Sequence, residues 1–191
     1  MNLKERRKCL IDVETTGFSY VKNQILEVGM LIIEDDEIIA EKEIKIKSNN
    51  DYEISEAALQ SNNINLEEHN KVALDEADAL DEMIEFLDKN LIDKDKSYII
   101  IGQNVDFDIN FLSRLFKKYS KSEEFKKYIG YRKLDIMQVA LFQVQRGKIE
   151  LESLALDSII AALGIKMPKE RHRALCDCKL EFETYKQLLY K

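Results

Sequence analysis

The sequence predicts an α/β fold in a single domain, 1–191, and three features carry that expectation. Up to Lys47 the chain holds apolar runs joined by short polar links, the pattern of strands. From Ser55 onward, apolar residues recur mostly at helical spacing. One more strand-like run, Tyr98 to Ile101, falls between two helical stretches, so strands and helices share one domain.

Taken in order, Cys9-Leu10-Ile11 is a short apolar run expected to be a buried strand, and it leads into Asp12 and Glu14. Side chains at i and i+2 of a strand share a face, so these two carboxylates project together. Adjacent carboxylates repel and raise each other's pKa unless a cation lies between them. Hard divalent ions such as Mg²⁺ prefer such oxygen ligands. On this stretch alone, solvated acids at a strand end account for the pattern equally well. Thr15-Thr16-Gly17 closes the strand in a turn, for which Gly17 is expected to supply backbone angles that other residues resist. Phe18 to Gln24 reads as a loop and Ile25 to Ile33 as a second buried strand interrupted by Glu27. Glu34-Asp35-Asp36 reads as a turn and Ile38 to Lys47 as a half-exposed strand. The short links make these three an antiparallel meander.

A short helix capped by Ser55 comes next. A single longer helix is expected from Asn70 to Lys89, with Ala73, Ala77, Leu80, Ile84 and Leu87 inward. Its opposite face (Asp75, Asp78, Asp81, Glu82, Glu85) is a solvated acidic surface, and His69 just before it is expected to be solvated too. After Tyr98 to Ile101, Gly102-Gln103-Asn104 ends the strand. A helix then begins near Val105, with Phe107, Phe111, Leu112 and Leu115 inward. Lys117 to Lys127 is expected to be an exposed loop or ragged helix, and Lys133-Leu134-Asp135 a link into a helix over Ile136 to Gln145. A helix from Leu151 to Leu163 stops at Gly164 with Pro168 beyond, and a last helix runs from Ala174 to the end.

A formal net charge of -7 implies no broad basic surface for duplex nucleic acid, so a phosphate-bearing ligand is expected to be held locally. Met1 to Lys8 is charged, no signal peptide is expected, and no apolar run is long enough to span a bilayer, so no membrane partner is expected. Three cysteines give no disulfide framework, and the reducing cytoplasm is the expected compartment.

Two further stretches carry chemistry. In Gln103-Asn104-Val105-Asp106-Phe107-Asp108, a carboxylate in the first turn of a helix is favoured by the helix dipole. Taken alone, Asn104 as a cap with Asp106 or Asp108 as ordinary first-turn acids accounts for it. In Arg171-His172-Arg173-Ala174-Leu175-Cys176-Asp177, His172 and Asp177 would stand roughly 140° apart on one continuous helix. They can share a site only if His172 lies on the loop before the helix.

Together the three stretches resemble the DEDDh-type 3′–5′ exonucleases of the ribonuclease-H-like fold, which include the proofreading epsilon subunit of bacterial replicative polymerase and ribonuclease T. Asp12-Val13-Glu14-Thr15-Thr16-Gly17 matches that family's Asp-x-Glu-Thr-x-Gly motif. Asn104, Phe107, Asp108, Phe111 and Leu112 match its second motif, and His172 with Asp177 its third. The resemblance implies a central mixed sheet of about five strands, the meander first, flanked by helices. It implies that Asp12, Glu14 and Asp177 hold a pair of divalent cations, Mg²⁺ with Mn²⁺ able to substitute, and that Asp108 supports the second. It makes His172 the general base that takes a proton from the attacking water.

The resemblance further sets Thr15, Thr16, Gly17, Phe18, Asn104 and Phe107 around the substrate. Phe18 stands where relatives place an apolar side chain against the terminal base, and packing beneath the loop is an equal alternative. Arg171 and Arg173 either touch phosphate or lie solvated at a helix start, and Cys176 and Cys178 do not have the spacing of metal ligands. Many relatives carry His where this chain has Gln103, which bears on substrate contacts rather than on metal. The implied partners are a single-stranded nucleic-acid 3′ end and a DNA polymerase subunit. The implied activity is metal-dependent 3′–5′ exonuclease action on single-stranded DNA, releasing nucleoside 5′-monophosphates. RNA 3′-end trimming, and a catalytically silent domain that binds nucleic acid or a polymerase, stay open on the sequence.

Overall fold

The computed structural model describes residues 6–92, 96–168 and 172–191. Five strands form one sheet: β1 (Lys8–Thr15), β2 (Ile25–Glu34), β3 (Glu37–Lys45), β4 (Ile99–Gly102) and β5 (Lys133–Asp135), in the order β3-β2-β1-β4-β5. β2 pairs antiparallel with both β1 and β3, while β4 runs parallel to both β1 and β5. The mixed sheet with an antiparallel meander first is the one expected.

Helices cover both faces, which is why β2 is buried almost end to end and reads as a continuous apolar run. Cys9, Ile11 and Val13 of β1 join the core that includes α3 (Glu76–Asn90) and α4 (Asp106–Lys118). Leu10 faces the opposite core, built with α6 (Ile136–Gln145), α7 (Leu156–Leu163) and α8 (Ala174–Leu189). Strand alternation therefore puts Asp12 and Glu14 on the face that Leu10 begins, the one α8 covers. The start of α8 lies directly on β2: a Cβ on Gly29 would meet the Ala174 carbonyl at 2.4 Å. Only glycine lets the chain after His172 lie that close to the sheet.

The expected helix over Asn70 to Lys89 is two helices, α2 (Leu66–Val72) and α3, separated by Ala73-Leu74-Asp75. Leu74 is extended there: its N–H donates to the Lys45 carbonyl at 2.9 Å, and the Lys47 N–H donates to its carbonyl at 2.8 Å. These non-local bonds satisfy the backbone as a helix would, and they reset the register. The buried residues of α3 become Ala79, Leu80, Met83 and Leu87, and Ala77 is exposed. The same join buries His69, whose Nε2 lies 3.0 Å from the Ile46 carbonyl and must donate to it. The solvated position expected for His69 is thus corrected.

α1 (Glu56–Ser61) is capped by the Ser55 hydroxyl as expected. An ordered helix, α5 (Ser122–Tyr128), replaces the exposed loop or ragged helix, because Phe125 packs edge-on against Phe116. Lys133–Asp135, expected as a link, is β5, an edge strand too short for its pattern to show. α7 starts at Leu156 rather than Leu151.

Candidate active site

The end of β1, the start of α4 and the start of α8 meet at one place. Asp108, in the first turn of α4, is buried, and its Oδ1 accepts the Val13 N–H at 3.0 Å. The pairing of β1 with β4 stops at Leu10 and Ile101, so Asp108 takes up a β1 amide beyond the end of that ladder. His172 has φ 63, in the left-handed region, and its N–H donates to Asp177 Oδ2 at 2.9 Å. The Asp177 N–H in turn donates to the Arg173 carbonyl at 2.9 Å. His172 is thus held on the turn entering α8, the loop position that its spacing from Asp177 requires. A ring nitrogen of His172, a Glu14 oxygen and an Asp177 oxygen all lie within 4.8 Å of one another.

Packing acids this closely is electrostatically costly. Burial, then the charges of Asp177 and Glu27, raise Asp12 to about 8. Burial, then Asp12, Asp177 and Glu27, raise Glu14 to about 9, with Arg173 pulling the other way. Asp108 is raised well above the usual carboxylate range by burial and by Asp12, against the opposing pull of the Val13 N–H. Such a cluster is completed by protons or by cations. The donor set of carboxylate oxygens beside one imidazole suits hard divalent ions, and Asp12, Glu14, Asp108 and Asp177 are the residues that could hold them.

Between the ordinary carboxylate values and about 8 to 9, the folded chain holds protons at Asp12 and Glu14 that the unfolded chain has lost. Their contribution to stability is therefore present at low pH and is lost as pH rises through that window. Without metal, the melting temperature is expected to fall from about pH 5 to about pH 9. Millimolar Mg²⁺ or Mn²⁺ should raise it more at the alkaline end, because cations replace the missing protons. A melting curve indifferent to both pH and metal would contradict the cluster.

Two acids of the cluster escaped the sequence reading. Glu27 lies directly across from Glu14 in the β1–β2 pairing and is 1% exposed. Its signal was a lone acid inside an otherwise apolar strand. Glu181, 3% exposed, lies four residues after Asp177 on α8, and its Oε2 accepts the Gln103 N–H at 3.2 Å. Burial, then Asp12 and Asp108, push Glu181 well above the usual range. Its signal was the i, i+4 spacing on the helix.

The residues expected around the substrate divide into buried and exposed ones. The Thr15 hydroxyl donates to the Gly17 carbonyl, and Thr16 is fully buried with its hydroxyl donating to the Glu53 carbonyl, both at 2.8 Å. Gly17 is outside the left-handed region; a Cβ there would meet Asn23 Oδ1 at 2.6 Å, so the turn needs glycine for space and not for its angles. Phe18 is 87% exposed, which corrects the alternative of packing beneath the loop. Asn104 is exposed at φ 54, with its N–H on Asp135, and it is not the cap of α4, which is Val105. Phe107 is half-buried against Phe111. Gln103 directs its side-chain amide to the Leu154 carbonyl at 2.7 Å. Arg173 is half-buried, and its guanidinium pairs with Glu27. Arg171 lies outside the described residues. Cys178 is buried and Cys176 half-buried, both as thiols. Among the described residues, no helix is long and apolar enough to cross a membrane.

Known proteins share both the sequence pattern and the fold. The chain is 29% identical over 177 residues to a PolC-type DNA polymerase III of Thermotoga petrophila, covering 92% of this chain and 11% of the polymerase. It is 28% identical over 196 residues to the 3′-5′ exonuclease DinG of Staphylococcus aureus, covering 95% of this chain and 20% of that protein. The chain therefore spans a fifth or less of the length of these relatives. In fold it is similar to E. coli exonuclease I solved with a dT13 oligonucleotide, with a TM-score of 0.79 and 16% identity over 97% of this chain and 41% of that one. The fold is thus ribonuclease-H-like. A family profile described as Exonuclease matches residues 9–185, and the chain belongs to that exonuclease family.

Proposed function

We propose that the chain is a metal-dependent 3′–5′ exonuclease that removes nucleoside 5′-monophosphates from single-stranded DNA. The observation that carries this reading is the convergence of Asp12, Glu14, Asp108 and Asp177, from three separate elements, beside an exposed imidazole. Asp12, Glu14, Asp108 and Asp177 would hold two divalent cations, Mg²⁺ or in its place Mn²⁺, which would supply neutralisation of the scissile phosphate and stabilisation of the entering and leaving oxygens. His172, on its turn beside Glu14 and Asp177, takes the proton of the attacking water. Phe18, exposed beyond the end of β1, stacks on the terminal base irrespective of its identity.

DNA is favoured over RNA because the relatives include a DNA polymerase and a structure solved with a deoxyoligonucleotide. The polymerase relative also makes a polymerase subunit a candidate partner. With 5′-labelled single-stranded DNA and Mn²⁺, the expected product is a ladder shortening from the 3′ end, abolished by chelator. A faster ladder on matched RNA would move the substrate class to RNA. An untouched substrate of either kind would leave a silent binding domain.

A further inference from the structure

We infer that the Glu27–Arg173 ion pair is the device that aims His172, so that Arg173 is a positioning residue acting on the site through its neighbour. Arg173 Nε donates to Glu27 Oε2 at 3.0 Å, and its Nη2 lies 3.0 Å from Glu27 Oε1. Two parallel bonds fix a guanidinium in orientation as well as position. Glu27 is well anchored: it lies within β2 and is 1% exposed. Arg173 also approaches Glu43 of β3 at 3.9 Å, so it spans two neighbouring strands.

The residue this clamp holds is next in the chain to His172, whose backbone is left-handed at φ 63. A non-glycine residue in that region persists only where its surroundings enforce it. Three contacts do so: the Arg173 clamp on one side, the Asp177 carboxylate on the His172 N–H, and the Ala174 carbonyl pressed against Gly29 on the other. Only the clamp is a side-chain pair that can be removed without touching a proposed metal ligand. Because Glu27 lies opposite Glu14, the clamp also ties the imidazole's position to the strand pair that carries the acids. Arg173 thereby offsets some of the negative charge on Glu14.

This inference rests on His172 being the base, and its test separates the two. The chain has two histidines, His69 and His172, so the two imidazole signals in an NMR spectrum are assigned by one substitution. Arg173→Ala is expected to lower kcat on single-stranded DNA by about 10- to 100-fold, with KM changed by less than about threefold. In a His172→Ala background the same change should cost less than about twofold, because the residue it acts through is gone. In the metal-free chain, Arg173→Ala should move or broaden the His172 ring signal, while Arg173→Lys restores only part of kcat, lacking the fork. Removing Arg173 alone strands a buried carboxylate and can unfold the chain. The paired variant Glu27→Gln with Arg173→Met removes both charges together, and it should show the same kcat loss and ring-signal change in a folded protein. Equal losses with and without His172, or a ring signal that ignores Arg173, would overturn the inference. Absence of exonuclease turnover in the unsubstituted chain would overturn the proposed function alone, since the ring signal still reports whether the clamp aims His172.

Discussion

Asp12→Asn is expected to abolish turnover and, in the same protein, to raise the melting temperature of the metal-free chain. The substitution keeps shape and removes one charge from a cluster whose members raise one another's pKa values. If Asp12 holds cations as proposed, losing its carboxylate should cost turnover about a thousandfold. Without metal, folding near neutral pH requires Asp12 to take up a proton that the unfolded chain lacks, and an amide there needs none, so the variant should be more stable by about 2–4 °C. Metal-induced stabilisation should shrink in parallel. Activity and thermal melting with and without Mg²⁺, on the two proteins side by side, check all three. An active variant, or one that melts lower without metal, would mean that Asp12 serves packing and not ion binding.

His172→Ala should lower kcat by about 10²- to 10⁴-fold, the range for a lost general base. KM and the metal-induced rise in melting temperature should stay near their starting values. The distinction from Asp12 is geometric: His172 is exposed on the α8 approach and contributes its N–H, not its ring, to holding Asp177. Any residue except proline keeps that N–H at this position. His172→Asn is the stringent companion, since asparagine tolerates left-handed angles and leaves the turn unstrained. Both variants should lose kcat to the same extent. If the asparagine variant were active and the alanine one were not, the role of His172 would be to hold the turn. Loss of metal affinity in either would instead make it a ligand.

The parts of the molecule legible in the sequence are those governed by local rules. The apolar runs of β1, β2 and β4 and the period of α4 follow from burial on a regular element, and Asp12 and Glu14 share a face because strands alternate. Gly164, left-handed after α7, ended that helix as its position indicated. Elements defined by non-local backbone pairing were not legible. Leu74 leaves the helical pattern to bond Lys45 and Lys47, and Lys133–Asp135 becomes a strand only because β4 lies beside it.

The same division runs through the site. The sequence by itself determined which residues are candidates for the proposed chemistry, since carboxylates at fixed spacings and a histidine five residues before an acid are chemical facts of the chain. Tertiary structure alone decided that Glu27 and Glu181 join the acids, that Arg173 turns inward to Glu27, and that His69 is buried. The physical reason is that charge–charge interaction depends on distance through space. A strand pairing set Glu27 opposite Glu14, and a glycine admitted α8 onto the sheet.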